Sequence, residues 1–210
     1  MVNNNYKDSE WEVVDDITWS DEHCAGTVNV QVETYERVGD FDNAYWATRN
    51  DILWYPADSC CGSTNDPAFM TTSTSEHRWN NYDNDSPDMI DYDRTDNTDG
   101  DNVNLEVGYG GASIGWEETL GGACSELSGD GTDMEWWTCY NSRHSYECSM
   151  CYGSEDPVKQ ATGSVVSSDY HPDDDEHHLL NTVYSGYTTC CEHCRDEYKH
   201  DKWVEIYSHA

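Results

Sequence analysis

The sequence predicts a mainly β protein: an antiparallel sandwich or barrel followed by a small C-terminal module rich in cysteine and histidine. Three observations support this prediction. Apolar and polar residues alternate over several short segments, as in half-buried strands. Turn dipeptides such as Asp-Gly and Gly-Gly separate these segments. No long run repeats with the period of a helix, and many short strands of this kind are typical of antiparallel sandwiches and barrels.

The clearest strands lie in the first half of the chain. In "TVNVQVETYERV", Val28, Val30 and Val32 alternate with Asn29 and Gln31. The segment "NVNLEVGY" at residues 102–109 alternates in the same way. Further strands are predicted at residues 11–19, 44–55, 113–120, 134–140, 161–168 and 203–208. Residues 80–102 are rich in Asp and Asn, and we expect a long polar loop there.

Composition limits both the core and the partners. The 210 residues include nine Trp and fifteen Tyr but two Phe, so much of the core must be aromatic rings that also need hydrogen-bond partners. This aromatic content argues against disorder. The formal net charge of -33 repels phosphate backbones and anionic membranes. We therefore expect neither nucleic acid nor a membrane among the partners.

The N-terminal segment, "MVNNNYKDSEWEVV", lacks the basic and apolar regions of a secretory signal. The longest apolar stretches, such as "ILWYP", are far too short to span a bilayer. We therefore expect neither a signal peptide nor a transmembrane segment.

Cysteine and histidine are concentrated after residue 140. Seven of the nine His and five of the ten Cys lie there, and the acidic excess is smaller. We predict an acidic β-rich body at residues 1–140 and a metal-stapled module at residues 141–210.

Two CxxC pairs in this module predict a metal site. Cys148 and Cys151 form the first pair, and Cys191 and Cys194 form the second. Four thiolates in two such pairs supply the tetrahedral ligands of structural zinc. The pattern resembles zinc-ribbon and treble-clef modules, which implies a small module held in its fold by structural zinc. Two disulfides and free buried thiols are the alternatives. The segment "RDEYKH" after the second pair is expected to form a short helix.

Six cysteines lie outside these pairs. Adjacent cysteines rarely bond to each other because the geometry is strained, so each member of a vicinal pair is expected to face a different partner. Disulfides and a second metal site that includes His144 or His23 both stay open. The six are Cys24, Cys60, Cys61, Cys124, Cys139 and Cys190.

Between the CxxC pairs, Asp169, His171 and Asn181 resemble the catalytic part of HNH nucleases of the treble-clef type. The resemblance implies metal-dependent cleavage of nucleic acid by His171. The spacing departs from the family pattern, and the net charge opposes the approach of DNA. The neighbouring "HPDDDEHH", residues 171–178, is expected to be an acidic solvated loop, and metal binding by its His and carboxylates is the alternative.

Two further segments of the body match functional patterns in part. Residues 95–106, "TDNTDGDNVNLE", are similar to a calcium loop but begin with Thr95 where Asp is needed; a cation site and an acidic turn are the alternatives. "GASIG" places Ser113 in a nucleophile-elbow pattern. Because a helix has no room before Gly121, a glycine-rich hairpin is expected instead.

The acidic, Lys-poor composition resembles proteins of extremely halophilic archaea and their viruses. With no convincing catalytic constellation, we predict a structural or assembly protein of a halophile that is not an enzyme. A virion component such as a capsid turret, decoration or tail protein fits best, oligomeric and with structural zinc, in the virion or cytoplasm. A cytoplasmic zinc-containing adaptor that binds another protein is the alternative, followed by the HNH-like nuclease.

Overall fold

A computed structural model of the chain shows twelve β-strands and no helix among the residues that it describes. These residues are 11–37, 44–58, 67–79, 88–93, 102–109, 112–119, 123–129, 132–140, 153–168, 177–191 and 196–209.

The strands follow one another along the chain. They are β1 (Trp11–His23), β2 (Gly26–Arg37), β3 (Ala44–Pro56), β4 (Ala68–Trp79), β5 (Asp88–Asp93), β6 (Asn102–Tyr109), β7 (Ala112–Thr119), β8 (Ala123–Gly129), β9 (Asp133–Tyr140), β10 (Val158–Ser168), β11 (His177–Cys191) and β12 (Asp196–His209).

The strands form two five-stranded sheets and one separate hairpin. The first sheet has the order β1-β2-β3-β10-β5, and the second has the order β12-β11-β4-β9-β8. Strands β6 and β7 pair only with each other among the described strands. All these pairs are antiparallel, so the predicted mainly β, antiparallel class is confirmed. Among the described strands, neither five-stranded sheet closes on itself, and each has an edge strand at both ends.

The two sheets share one apolar cluster. Val28, Val30 and Val32 of β2 lie on the same face as Ile52 and Trp54 of β3, and all five are buried. This burial follows from the alternation seen in the sequence, and each buried aliphatic side chain contributes about 1.5–3 kcal/mol. The second sheet supplies Ala68, Met70, Tyr140, Val183 and Tyr187 to the same cluster.

Some local predictions were wrong. Residues 88–93 form β5, although they lie in the predicted polar loop. This strand is at the edge of the first sheet, where acidic side chains can reach water.

The predicted helix at residues 195–200 is also absent, since Asp196–His209 is strand β12. Its pairing with β11 outweighs the local helical preference.

Strands on the two sides of residue 140 pair with each other. β10 pairs with β3 and β5, and β11 pairs with β4. The predicted body and C-terminal module therefore contribute to the same sheets, and the composition boundary itself stays a prediction.

Candidate functional site

Among the described strands, the hairpin of β6 and β7 is hydrogen-bonded to neither large sheet. All eight residues of each strand pair in one register, from Asn102 opposite Thr119 to Tyr109 opposite Ala112. The sequence joins the strands through Gly-Gly, a dipeptide suited to a two-residue turn. The predicted glycine-rich hairpin is confirmed. Ser113 lies within β7, which continues as a strand to Thr119, so the strand-turn-helix of a nucleophile elbow is not formed there.

The register separates the hairpin into two faces of different composition. Successive strand residues occupy opposite faces, and directly paired residues share a face. One face has seven apolar positions: Val103, Leu105, Val107, Tyr109, Ala112, Ile114 and Trp116. The other face has eight polar or small positions: Asn102, Asn104, Glu106, Gly108, Ser113, Gly115, Glu117 and Thr119. Within the hairpin, Glu118 alone interrupts the apolar face, near its open end.

The hairpin lies beside the first sheet. Strand β6 approaches β5, and both β6 and β7 approach β10. On β10, Ala161 and Val165 alternate with Thr162 and Ser164, which bond to the second sheet. Ala161 and Val165 therefore lie on the outer face of the first sheet. Both are fully buried, in a cluster with Trp11, Tyr35 and Ala47.

A cluster of charges adjoins this outer apolar patch. Arg49 donates from Nε to Asp51 Oδ1 at 3.1 Å, and Lys159 Nζ lies 3.1 Å from Asp51 Oδ2. Tyr35 donates to Glu33 Oε2 at 2.6 Å. Burial, and then the Glu33 carboxylate, raise the pKa of Tyr35. Burial lowers the pKa of Arg49, but Asp51 and Glu33 outweigh it, so the net shift is upward. Arg49 therefore keeps its charge, and the ion pair of Lys159 in β10 with Asp51 in β3 links these two neighbouring strands.

A polar layer joins the two sheets beside the apolar core. Asn50 of the first sheet donates to Ser75 at 2.8 Å and to Ser185 at 2.9 Å, both in the second sheet. Ser75 is also hydrogen-bonded to Thr162 at 2.8 Å. These side chains are buried, so their bonds offset the cost of removing them from water.

His77 lies within this polar layer. Its Nδ1 is 2.8 Å from Ser164 Oγ, and its Nε2 is 3.3 Å from Thr162 Oγ1. The ring packs against Trp136 with the centroids 4.7 Å apart. Burial lowers the pKa of His77 to about 3. The imidazole is therefore neutral near neutral pH and serves the packing of the sheets.

The predicted zinc site falls largely outside the described residues. Cys148, Cys151 and Cys194 lie outside the described residues. Cys191 is in β11, opposite Ala68 and Asp196, but the structure does not describe its side chain. No group of three or more His, Cys, Asp or Glu side chains within the described residues could hold a metal ion. The four-thiolate site stays a prediction.

The other sequence candidates also lie largely outside the described residues. Asp169 and His171 are not described, and Asn181 is a backbone position in β11 opposite Trp79. Residues 95–101 of the predicted cation loop are outside as well, and the loop's remainder belongs to β6.

Cys24, Cys139 and Cys190, the three cysteines whose side chains the structure describes, are all disulfide-bonded. For these residues the structure decides between the predicted alternatives, and they are not free to serve a second metal site.

Among the described residues, no helix is long and apolar enough to cross a bilayer.

No protein-family model and no curated protein matches the chain. Solved structures do match. The chain is similar to Clostridium perfringens delta-toxin with a TM-score of 0.53, at 8% identity over 96% of this chain and 94% of that one.

Two further structures match less closely. One is titled "Pore forming protein", with a TM-score of 0.46 and 10% identity over 94% of this chain and 93% of that chain. The other is the Clostridium perfringens NetB toxin in its membrane-inserted form, with a TM-score of 0.47 and 9% identity over 93% and 96%.

The similarity to delta-toxin extends over nearly the whole chain and shows a shared fold. It overturns the predicted role as a virion component or zinc-containing structural protein, and the adaptor alternative with it. The predicted location in a virion or the cytoplasm and the exclusion of a membrane are corrected for the same reason. The HNH-like nuclease gains no support. Composition misled here because the order of the strands and the separate hairpin leave no trace in it.

Proposed function

We propose that this chain is a pore-forming protein that inserts the β6–β7 hairpin into a lipid bilayer as one member of a ring of subunits. The register of the hairpin carries the proposal, because it gives one apolar and one polar face. A strand between lipid and a water-filled lumen needs this alternation. The fold shared with delta-toxin, a toxin by its name, supports the same conclusion.

A ring is required by the backbone of the hairpin. A two-stranded sheet has two open edges, and each N–H or C=O without a partner in hydrocarbon costs several kcal/mol. Edge-to-edge pairing of hairpins from several subunits satisfies these groups. The predicted oligomer thus becomes a ring of copies of this chain.

The length of the hairpin limits the bilayer that it can cross. Strands of eight residues extend about 27 Å, and a tilt near 40° reduces the height to about 20 Å. The hydrocarbon core of a typical bilayer is about 30 Å thick. Insertion therefore requires local thinning of the bilayer, extension of the strands into their flanks, or both.

The disulfides support a site of action outside the cytoplasm. Cys24, Cys139 and Cys190 are disulfide-bonded, and such bonds form and persist in oxidising compartments.

The net charge of -33 opposes binding to anionic lipid, so a zwitterionic bilayer is the favoured target. High salt would shorten the range of the repulsion between subunits to about 3 Å at 1 M.

Dye release from zwitterionic vesicles tests the proposal with a matched pair of variants. Leu105→Lys and Asn104→Lys add the same charge at adjacent positions on opposite faces. A lysine facing lipid at the bilayer midplane costs about 2–4 kcal/mol in a membrane strand. We expect Leu105→Lys to lower the release rate at least tenfold, while Asn104→Lys stays within about threefold of wild type.

Urea denaturation of both variants before lipid is added serves as the folding control. Absence of release by the wild-type protein would contradict the proposal, and so would equal loss in two folded variants.

A further inference from the structure

We propose that the pore selects cations over anions, and this inference rests on the function proposed above. The polar face of the hairpin carries two carboxylates, Glu106 and Glu117, and no basic residue. In a ring of subunits this face lines the lumen, so each subunit contributes both carboxylates to the path of the ions.

The register brings the two glutamate positions close together without a counter-charge. Glu106 is opposite Gly115, and Glu117 is opposite Asn104, so the glutamates are diagonal neighbours on one face. Diagonal positions are roughly 7–8 Å apart. Since Gly115 and Asn104 carry no charge, neither cross-strand partner neutralises a glutamate.

The flanking sequence extends the same sign of charge. Between Arg94 and Arg143 the chain contains no Lys, Arg or His. The residues that precede β6 include Asp99 and Asp101, and Glu118 adjoins the open end of the hairpin. The sequence that adjoins this end of the hairpin is therefore acidic and contains no cationic residue.

The size of the effect follows from Coulomb's law. A unit charge 10 Å from a carboxylate gains about 0.4 kcal/mol in water, and several carboxylates surround an ion in a ring. Their sum is on the order of 1–3 kcal/mol, which corresponds to roughly a fivefold to hundredfold preference for cations. Salt weakens it, because the screening length falls from about 10 Å at 0.1 M to about 3 Å at 1 M.

Planar zwitterionic bilayers under a tenfold KCl gradient provide the test. We expect the wild-type protein to give a K⁺ to Cl⁻ permeability ratio of about 5 or more near 0.1 M salt. The double variant Glu106→Gln/Glu117→Gln should bring the ratio to within about twofold of 1. Glu135→Gln, the same change at an exposed position of β9, should leave the ratio unaltered.

The outcomes separate this inference from the proposed function. Absence of channels from the wild-type protein would contradict pore formation itself. Channels that prefer Cl⁻, or a cation preference that the double variant retains, would overturn the inference and leave the pore intact.

If the double variant forms no channels, the wild-type ratio is measured at 0.1 M and 1 M mean salt. A fall toward 1 supports the carboxylate lining, and an unchanged ratio contradicts it.

Discussion

Lowering the pH from 7.5 to 4.5 should destabilise the two-sheet body through His77. This side chain is buried between the sheets, bonded to Ser164 and Thr162 and packed against Trp136. Its neighbours in these contacts are neutral, and burial holds its pKa at about 3. The folded protein therefore does not take up a proton on His77 at pH 4.5.

The unfolded chain behaves differently, because an exposed histidine has a pKa of 6.5. Below that pH the unfolded state binds a proton that the native state does not, so stability falls as the pH is lowered. The contribution is complete above pH 6.5 and is lost progressively down to pH 3. Two units below 6.5, the loss is about 2.7 kcal/mol at 1.36 kcal/mol per unit.

The assay is urea denaturation followed by tryptophan fluorescence at both pH values, for the wild type and His77→Gln. Glutamine keeps a hydrogen-bonding group without the proton uptake, so carboxylates and other histidines affect both proteins alike. The wild type should lose about 2.7 kcal/mol more than the variant between the two pH values. Equal losses would refute the reasoning, as would an NMR titration in which the His77 imidazole protonates near pH 6.

Two further predictions concern the charged cluster and the bilayer. Asp51→Asn leaves Arg49 and Lys159 without their shared carboxylate, and should lower the free energy of unfolding by about 3–5 kcal/mol in urea denaturation. Arg78→Gln, at a side chain 44% exposed, should lower it by less than about 1 kcal/mol. Similar losses of stability in the two variants would contradict the expectation that the buried ion pairs matter more than the exposed one. Because the hairpin is short, dye release should be severalfold faster from vesicles with short acyl chains, and faster release from thick bilayers would contradict this.

The sequence predicted those strands in which apolar residues alternate with polar ones. Val28, Val30 and Val32 mark β2, because the inner face of this strand enters the apolar core. Strand β4 was missed for a physical reason: Ser73, Ser75 and His77 are polar but buried. Their hydrogen bonds come from other strands, so alternation along the chain does not show that they are inside.

The candidate site was predicted only in part. Alternation at residues 102–109 predicted the first strand of the hairpin, residues 113–120 were predicted as a further strand, and "GASIG" predicted a glycine-rich hairpin. The sequence could not predict that these strands pair with neither large sheet, because an amphipathic strand has the same pattern in a sheet as in a membrane hairpin. Which strands pair with each other depends on contacts between residues that are distant in sequence. The disulfides of Cys24, Cys139 and Cys190 likewise depend on three-dimensional proximity.

Insertion of the hairpin is tested most directly by labelling it one residue at a time. Single cysteines at each position from 104 to 108 are coupled to a dye whose fluorescence rises in hydrocarbon, with the wild-type chain as the labelling blank. On addition of zwitterionic vesicles, labels at residues 105 and 107 should brighten and be quenched by a quencher attached to lipid. Labels at residues 104, 106 and 108 should stay accessible to acrylamide, an uncharged quencher dissolved in the water. Five labels that respond alike, or do not respond to vesicles, would contradict membrane insertion of this hairpin.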